Sequence, residues 1–212
     1  MARPKNQARR REALMDAAQR AIATRGLGAL RLRDIADEAG VTGPAVSYYY
    51  PDIDELLVDV YSRAIRQWME RGPVAVSEVD DPWDQIVAGI EADLPSGPSD
   101  TDAVIMYQFS GDPTLAGTYG AMSAALRASQ ISLYRSIIDT GIALGRFHPE
   151  IGSPTAARAI TALGDAYGLQ VVVQEPGMSK PTALGEIIRI VASLLRVEDG
   201  AVGRIASDSA AL

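Results

Sequence analysis

Hydroxyl and guanidinium groups cluster between residues 33 and 49, and such groups form hydrogen bonds to phosphate oxygens. Thr42, Ser47, Tyr48 and Tyr49 carry the hydroxyls, and Arg33 precedes them. Gly43 permits close approach of a backbone, and the methyl group of Ala45 suits contact with a thymine methyl. The pattern favours contact with a phosphate polymer. The predicted contact residues are Arg33, Thr42, Gly43, Pro44, Ala45, Ser47, Tyr48 and Tyr49.

Groups for catalysis or metal binding are sparse. The chain has no cysteine, and its one histidine, His148, lies in a Phe-His-Pro turn without a neighbouring serine or second histidine. Glu91 and Asp93 are two residues apart on a predicted helix, so their side chains diverge. A small helical hydrolase or lyase would need a nucleophile, a base and a group that orients the base. The sequence therefore disfavours an enzyme, and we predict no metal and no cofactor.

Charge is distributed unevenly along the chain. The net charge is −7, but residues 1–36 contain nine basic and three acidic side chains, a net of +6, which leaves −13 for the remainder. This asymmetry indicates a basic module that meets a polyanion, attached to an acidic body. A solvated basic tail is the alternative interpretation.

Hydrophobic periodicity predicts helices only. Glycine and proline separate the segments: Gly26 and Gly28 end the first helix, Gly40 ends the second, and Gly72-Pro73 breaks the fourth. We expect Thr42 to cap the third helix with its side chain. The predicted helices span residues 7–24, 32–39, 43–49, 52–71, 82–92, 100–109, 113–144, 154–174 and 181–196.

The second and third segments form a helix-turn-helix, a motif in which the second helix enters the major groove of DNA. The residues from Leu32 to Leu57, LRDIADEAGVTGPAVSYYYPDIDELL, resemble the TetR family signature. In that family an "IA..AGVS" run leads into a short recognition helix, and "YYHF" and "sKeeLL" segments follow. The resemblance covers residues 8–60. Two positions depart from it: Ile53 replaces a lysine that can meet phosphate, and Ser47 replaces the first aromatic. We expect the arginines at 9–11 to offset these losses by reaching DNA.

The resemblance implies an all-α homodimer with an N-terminal helix-turn-helix three-helix domain and a C-terminal helical domain for ligand binding and dimerisation. It implies domains at residues 1–50 and 51–200, with a linking helix at 51–72, and we expect a flexible tail at 201–212. It also implies a repressor that a small molecule releases from operator DNA. The last two long helices would pair with their copies, around Gly164, Gly168, Ile188 and Leu195. A helical interaction module that has lost DNA binding is the alternative.

A second set of residues could line an effector pocket. Bulky aromatic side chains, flexible methionine and small neighbours can leave a cavity between helices. The predicted ligand-binding residues are Trp83, Tyr107, Gln108, Tyr119, Met122, Tyr134 and Asp165, and further candidates are Met106, Phe109, Ser110, Asp112 and Tyr167. Ordinary core packing is the alternative for each of them.

Charged residues interrupt every apolar run, so we expect neither a signal peptide nor a membrane-spanning helix. The absence of cysteine agrees with a reducing compartment. We therefore expect a soluble, cytoplasmic protein.

Overall fold

A computed structural model describes residues 4–110 and 116–197 of the chain. These residues form nine α-helices and one 3₁₀ turn, Leu27–Ala29, and contain no strand, which confirms the all-α prediction. The predicted tail at 201–212 and the candidate Asp112 lie outside the described residues. The helices are α1 (Pro4–Arg25), α2 (Leu32–Ala39), α3 (Gly43–Tyr49), α4 (Ile53–Ser77), α5 (Pro82–Asp93), α6 (Thr101–Ser110), α7 (Ala116–Ala143), α8 (Ser153–Val172) and α9 (Lys180–Leu195).

Local signals account for most helix ends. Gly40 ends α2 with φ 65°, the left-handed conformation that costs glycine little. Asp81 begins α5 by accepting hydrogen bonds from the backbone N–H groups of Trp83 and Asp84. Thr42 occupies the N-cap position of α3, but its side chain accepts no capping hydrogen bond, so that part of the prediction is wrong. Its hydroxyl is exposed and stays available to another partner.

The predicted break at Gly72-Pro73 is also wrong, because α4 continues to Ser77. Proline lacks an N–H, so the helix loses the hydrogen bond to the carbonyl of Met69. Burial of Trp68 and Val76 on the same helix offsets that loss. Gly72 is buried as well, and a Cβ there would lie 3.3 Å from Leu133. Close packing with α7 therefore holds this part of α4 in helical form.

The chain divides into two compact units. Unit 1 comprises Met1–Gln67 and Thr101–Ser123, and unit 2 comprises Trp68–Asp100 and Ala124–Leu212. Consequently α4 and α7 each contribute residues to both units. The domain boundary expected after residue 50 stays a prediction.

The core of unit 1 forms around α1. Ala17, Ala18 and Ile22 are fully buried, and the two alanines allow neighbouring helices to approach closely. Two contacts join α1 and the turn after it to α6: the Gln19 amide donates to Asp102 at 3.2 Å, and the backbone N–H of Leu27 donates to Gln108 at 2.8 Å. Unit 1 thus includes α6 as a packed part of the N-terminal helices.

Most of the core of unit 2 consists of apolar side chains from α5, α7, α8 and α9, and Val76 of α4, Leu94 and Phe147 complete it. Trp83, Tyr134, Phe147 and Ile187 are all almost fully buried in it. Such packing gives α5 and α7 fixed positions.

Arg11 ties three helices of unit 1 together. Its Nη2 donates to Glu55 at 2.9 Å and to Asp59 at 3.0 Å, both on α4. Its guanidinium lies 4.2 Å from the ring centroid of Tyr50, at the end of α3. The hydroxyl of Tyr50 donates to Asp59 at 2.9 Å, and burial of this side chain raises its pKa to about 12. The C-terminal end of α3 is therefore fixed against α1 and α4.

This network predicts different effects for two adjacent arginines of α1. Arg11→Ala should lower the free energy of unfolding by about 1 kcal/mol, because it removes charge-assisted hydrogen bonds at a partly exposed site. Arg10→Ala should leave it unchanged, since Arg10 is exposed and makes no ion pair with any described residue. Denaturant unfolding of both variants measures the difference. Equal stability of the two would contradict the structural role of Arg11.

Candidate nucleic-acid interface and buried cleft

Helices α2 and α3 form a helix-turn-helix with a rigid turn. After Gly40 the backbone N–H of Val41 donates to the Ala36 carbonyl at 2.9 Å, which closes the end of α2. Val46 of α3 and Ile35 of α2 are fully buried and anchor the two helices in the core of unit 1. One side of α3 is thereby fixed, and its other side faces outward.

The outward side of α3 carries most of the predicted contact residues. Thr42, Pro44, Ser47 and Tyr48 are exposed, and Gly43, Ala45 and Tyr49 are half-buried. Tyr48 is 70% exposed, which is unusual for so large an apolar ring. The Tyr49 ring meets it edge-on at a centroid distance of 5.0 Å. These side chains form one surface, although their contact with DNA stays a prediction. Tyr50, expected in the core, is fully buried.

Positive charge beside this surface is smaller than the sequence count indicates. Arg20 pairs with Glu38 at 2.7 Å and Arg25 with Asp34 at 3.1 Å, and Arg11 pairs with α4. Arg9, Arg10, Arg31 and Arg33 are exposed and pair with no acid in the described part of the chain. Arg11 is therefore engaged within unit 1, and contact of residues 9–11 with DNA stays a prediction. In the sequence, Glu55 and Asp59 are four residues apart and therefore lie on the same face of α4. This pair of acids indicates an internal partner for a nearby arginine.

The predicted effector residues do not form one cluster inside either unit. Tyr107, Gln108, Tyr119 and Met122 belong to unit 1, whereas Trp83, Tyr134 and Asp165 belong to unit 2. Their role in ligand binding stays a prediction.

Several of these residues have packing partners. In unit 1, Tyr119 lies edge-on to Phe109 at 4.7 Å, and the Met122 sulfur accepts from Ser62 at 3.2 Å. In unit 2, the Asp165 carboxylate accepts from Arg127 at 3.3 Å.

Unit 2 contains a cleft that sequence reasoning missed. Its empty volume is about 230 Å³, which includes open solvent at the mouth, and its interior has room for about one water molecule. Three helices line it: Trp68, Met69, Gly72 and Pro73 come from α4, Asp93 from α5, and Leu126, Ser129, Gln130 and Leu133 from α7. None of the predicted effector residues lies among them.

Asp93 is the charged group of this cleft. Its carboxyl group is buried, and it accepts a hydrogen bond from the Tyr134 hydroxyl at 2.7 Å. Burial raises its pKa to about 6, against the smaller opposing effect of the hydrogen bonds from Tyr134 and Gln130. Asp93 forms no ion pair with the described residues. An acid at the last residue of a helix opposes the helix dipole, and this placement was a signal in the sequence.

No group of three or more His, Asp or Glu side chains in the described residues could hold a metal ion. His148 is exposed, and its backbone N–H donates to the Leu195 carbonyl. None of the described helices combines the length and the apolar character needed to cross a membrane.

Comparison with known proteins gives the same architecture. Residues 14–60 match the family model for bacterial regulatory proteins of the tetR family. A transcriptional regulator from Saccharomonospora viridis, solved in complex with choline, is 22% identical with a TM-score of 0.74, over 87% of this chain and 96% of that one. SmeT, the repressor of the Stenotrophomonas maltophilia multidrug efflux pump SmeDEF, is 18% identical with a TM-score of 0.70, over 90% and 91%.

A third similar structure is AibR in complex with isovaleryl coenzyme A and operator DNA. It is 15% identical with a TM-score of 0.68, over 89% of this chain and 99% of that one. At such identities the likeness establishes the fold. No curated protein matches the chain.

The family model covers the helix-turn-helix, and the shared fold extends over most of the remaining helices. The N-terminal part of the chain, residues 14–60, is therefore similar to the bacterial regulatory proteins of the tetR family.

Proposed function

We propose that this protein is a transcriptional regulator that binds operator DNA through α3. The observation that carries the proposal is the exposed side of α3, fixed in place by Val46 and Tyr50 and accompanied by arginines that pair with no acid in the described part of the chain. A helix presented in this way fits the major groove, and arginines beside it bind phosphates. A regulator of this kind acts on the chromosome, so we expect it in the cytoplasm. We propose no catalytic role.

Readout of base edges is limited on this surface. Ser47 and the hydroxyls of Thr42 and Tyr48 are exposed hydrogen-bonding groups on α3, and Ala45 offers a half-buried methyl group. None of these is a long side chain that forms two hydrogen bonds with one base. DNA shape and phosphate contacts therefore provide much of the proposed affinity.

We further propose that a small molecule controls DNA binding. Two of the similar regulators were solved with small molecules, choline and isovaleryl coenzyme A, and SmeT is named a repressor. In this chain α4 and α7 line the cleft of unit 2 and also supply residues to unit 1. A ligand that favours one position of these helices can change the spacing of two α3 helices in a dimer. Two half-sites require a spacing of about 34–36 Å or a multiple of it.

The proposed homodimer forms through apolar residues that one chain leaves exposed. Gly168, Ile188 and Leu195, expected at the interface, are buried within a single chain and cannot add area to a contact with its copy. Leu169 of α8 and Ile190 of α9 are instead 44% and 42% exposed. With Ala162 and Ala166, Leu169 lies on one side of α8. We propose that this side of α8 and the side of α9 with Ile190 meet their copies.

DNA binding should weaken steeply as salt increases. Four unpaired arginines per chain give eight phosphate contacts in a dimer, and a slope of log affinity against log salt of about −7. Fluorescence anisotropy with the intergenic DNA beside its own gene measures this slope between 50 and 200 mM salt. Arg33→Ala and Arg10→Ala should each reduce the magnitude of this slope by about 2, because each removes two phosphate contacts per dimer.

The control is Arg158→Ala, an exposed arginine of α8 in unit 2, which should leave the slope unchanged. Lack of binding to this DNA at low salt, or an affinity independent of salt, would overturn the proposed function. The alternative of a helical interaction module would then be favoured.

The interface predicts the oligomeric state of two variants. Leu169→Glu and Ile190→Glu should each shift the protein toward monomer, because stable homodimers bury apolar area of about 2,000 Å² or more. Leu144→Glu changes a residue that is 64% exposed just after α7, and it should leave the dimer intact. Analytical ultracentrifugation distinguishes the species. Persistence of the dimer in both α8 and α9 variants would contradict this interface.

A further inference from the structure

We propose that the cleft lined by α4, α5 and α7 binds a primary alkylammonium ion, with Asp93 as its counter-ion. The proposal rests on the proposed function, since this cation would be the effector.

Asp93 leaves the charge around the cleft unbalanced. Arg71 pairs with Asp100 at 3.1 Å and stacks on Trp68 at 4.2 Å, and Arg127 pairs with Asp165 at 3.3 Å. Each arginine has an acid in contact, whereas Asp93 has no contacting cation among the described residues. Buried charges are normally paired because an unpaired one costs free energy. One bound monovalent cation would neutralise the negative charge of Asp93.

The residues that line the cleft include several hydrogen-bond acceptors. A primary ammonium group has three N–H donors. Asp93 supplies a carboxylate, and Ser129 and Gln130, whose side chains include an oxygen acceptor, also line the cleft. Pro73 leaves the carbonyl of Met69 without its helical N–H partner, and both residues line the same cleft. These acceptors suit an ammonium group, whereas an anion would meet the Asp93 charge.

The size and polarity of the cleft restrict its ligand. Its interior has room for about one water molecule, which suits an –NH₃⁺ head of similar size. A trimethylammonium head is larger and would need the helices to separate. The side chains of Trp68, Leu126 and Leu133 are apolar parts of the lining and can contact an alkyl tail. A short primary amine therefore fits better than a quaternary amine.

The test is calorimetric titration of the full-length protein at pH 7.5 with hexylamine and with 1-hexanol, which has the same chain without the charge. We expect hexylamine to bind at least tenfold more tightly, a difference of about 1.4 kcal/mol. Asp93→Asn should abolish this preference. Glu91→Gln changes an exposed acid on the same helix and should retain it.

A second measurement needs no variant. Binding of hexylamine to the native protein should weaken as pH falls from 7.5 to 5, because the raised pKa of Asp93 lets its carboxyl protonate in this range. Binding of 1-hexanol should not change. Equal affinity for the two compounds, no binding of hexylamine, or a preference that survives Asp93→Asn overturns the proposal.

The same samples separate this proposal from the proposed function. DNA binding without any amine preference overturns the ligand assignment and leaves the regulator intact. Amine binding in a protein that never binds DNA supports the site and overturns the regulator. If both occur, hexylamine should lower DNA affinity, and DNA should lower hexylamine affinity by the same factor. An unchanged DNA affinity would overturn the role as effector.

Discussion

The geometry of the proposed DNA-binding surface on α3 depends on the ion pairs of Arg11 with Glu55 and Asp59. They bring α1 and α4 together around Tyr50, whose buried hydroxyl shares the Asp59 carboxylate. Because Tyr50 directly follows α3, its position sets where the exposed side of α3 lies. Val46 adds an apolar anchor within the helix. The proposed DNA-binding surface thus depends on an arginine that is itself committed to internal contacts.

Sequence reasoning predicted the parts of the fold that local chemistry determines. Gly40 ends α2 in the left-handed conformation, and Asp81 with Pro82 begins α5, as the residue types indicate. It failed where tertiary packing overrides local preference. Pro73 normally ends a helix, but burial of Trp68 and Val76 keeps α4 helical beyond it. Such burial depends on residues of α7 far along the chain, which local patterns cannot report.

The candidate sites differ in the same way. The α3 surface lies in one continuous segment, so a motif was enough to locate its residues. The cleft combines three separate helices, and its charged member, Asp93, was dismissed because it diverges from Glu91. A single buried acid can bind a ligand without a second carboxylate beside it. Aromatic composition in turn selected Trp83 and Tyr134, which pack in the core of unit 2.

Pro73 connects the irregular part of the fold with the proposed ligand. A helix that continues through proline lacks one N–H donor, here the one that would bond the carbonyl of Met69, and both residues line the cleft. A bound donor at this point would replace the missing N–H and would also neutralise Asp93. The hydrogen bond to Met69 and the ion pair with Asp93 can form only while α4, α5 and α7 hold the arrangement that forms the cleft. A ligand with this differential affinity can bias a helix that also contributes to unit 1, which is the thermodynamic requirement for control of DNA binding.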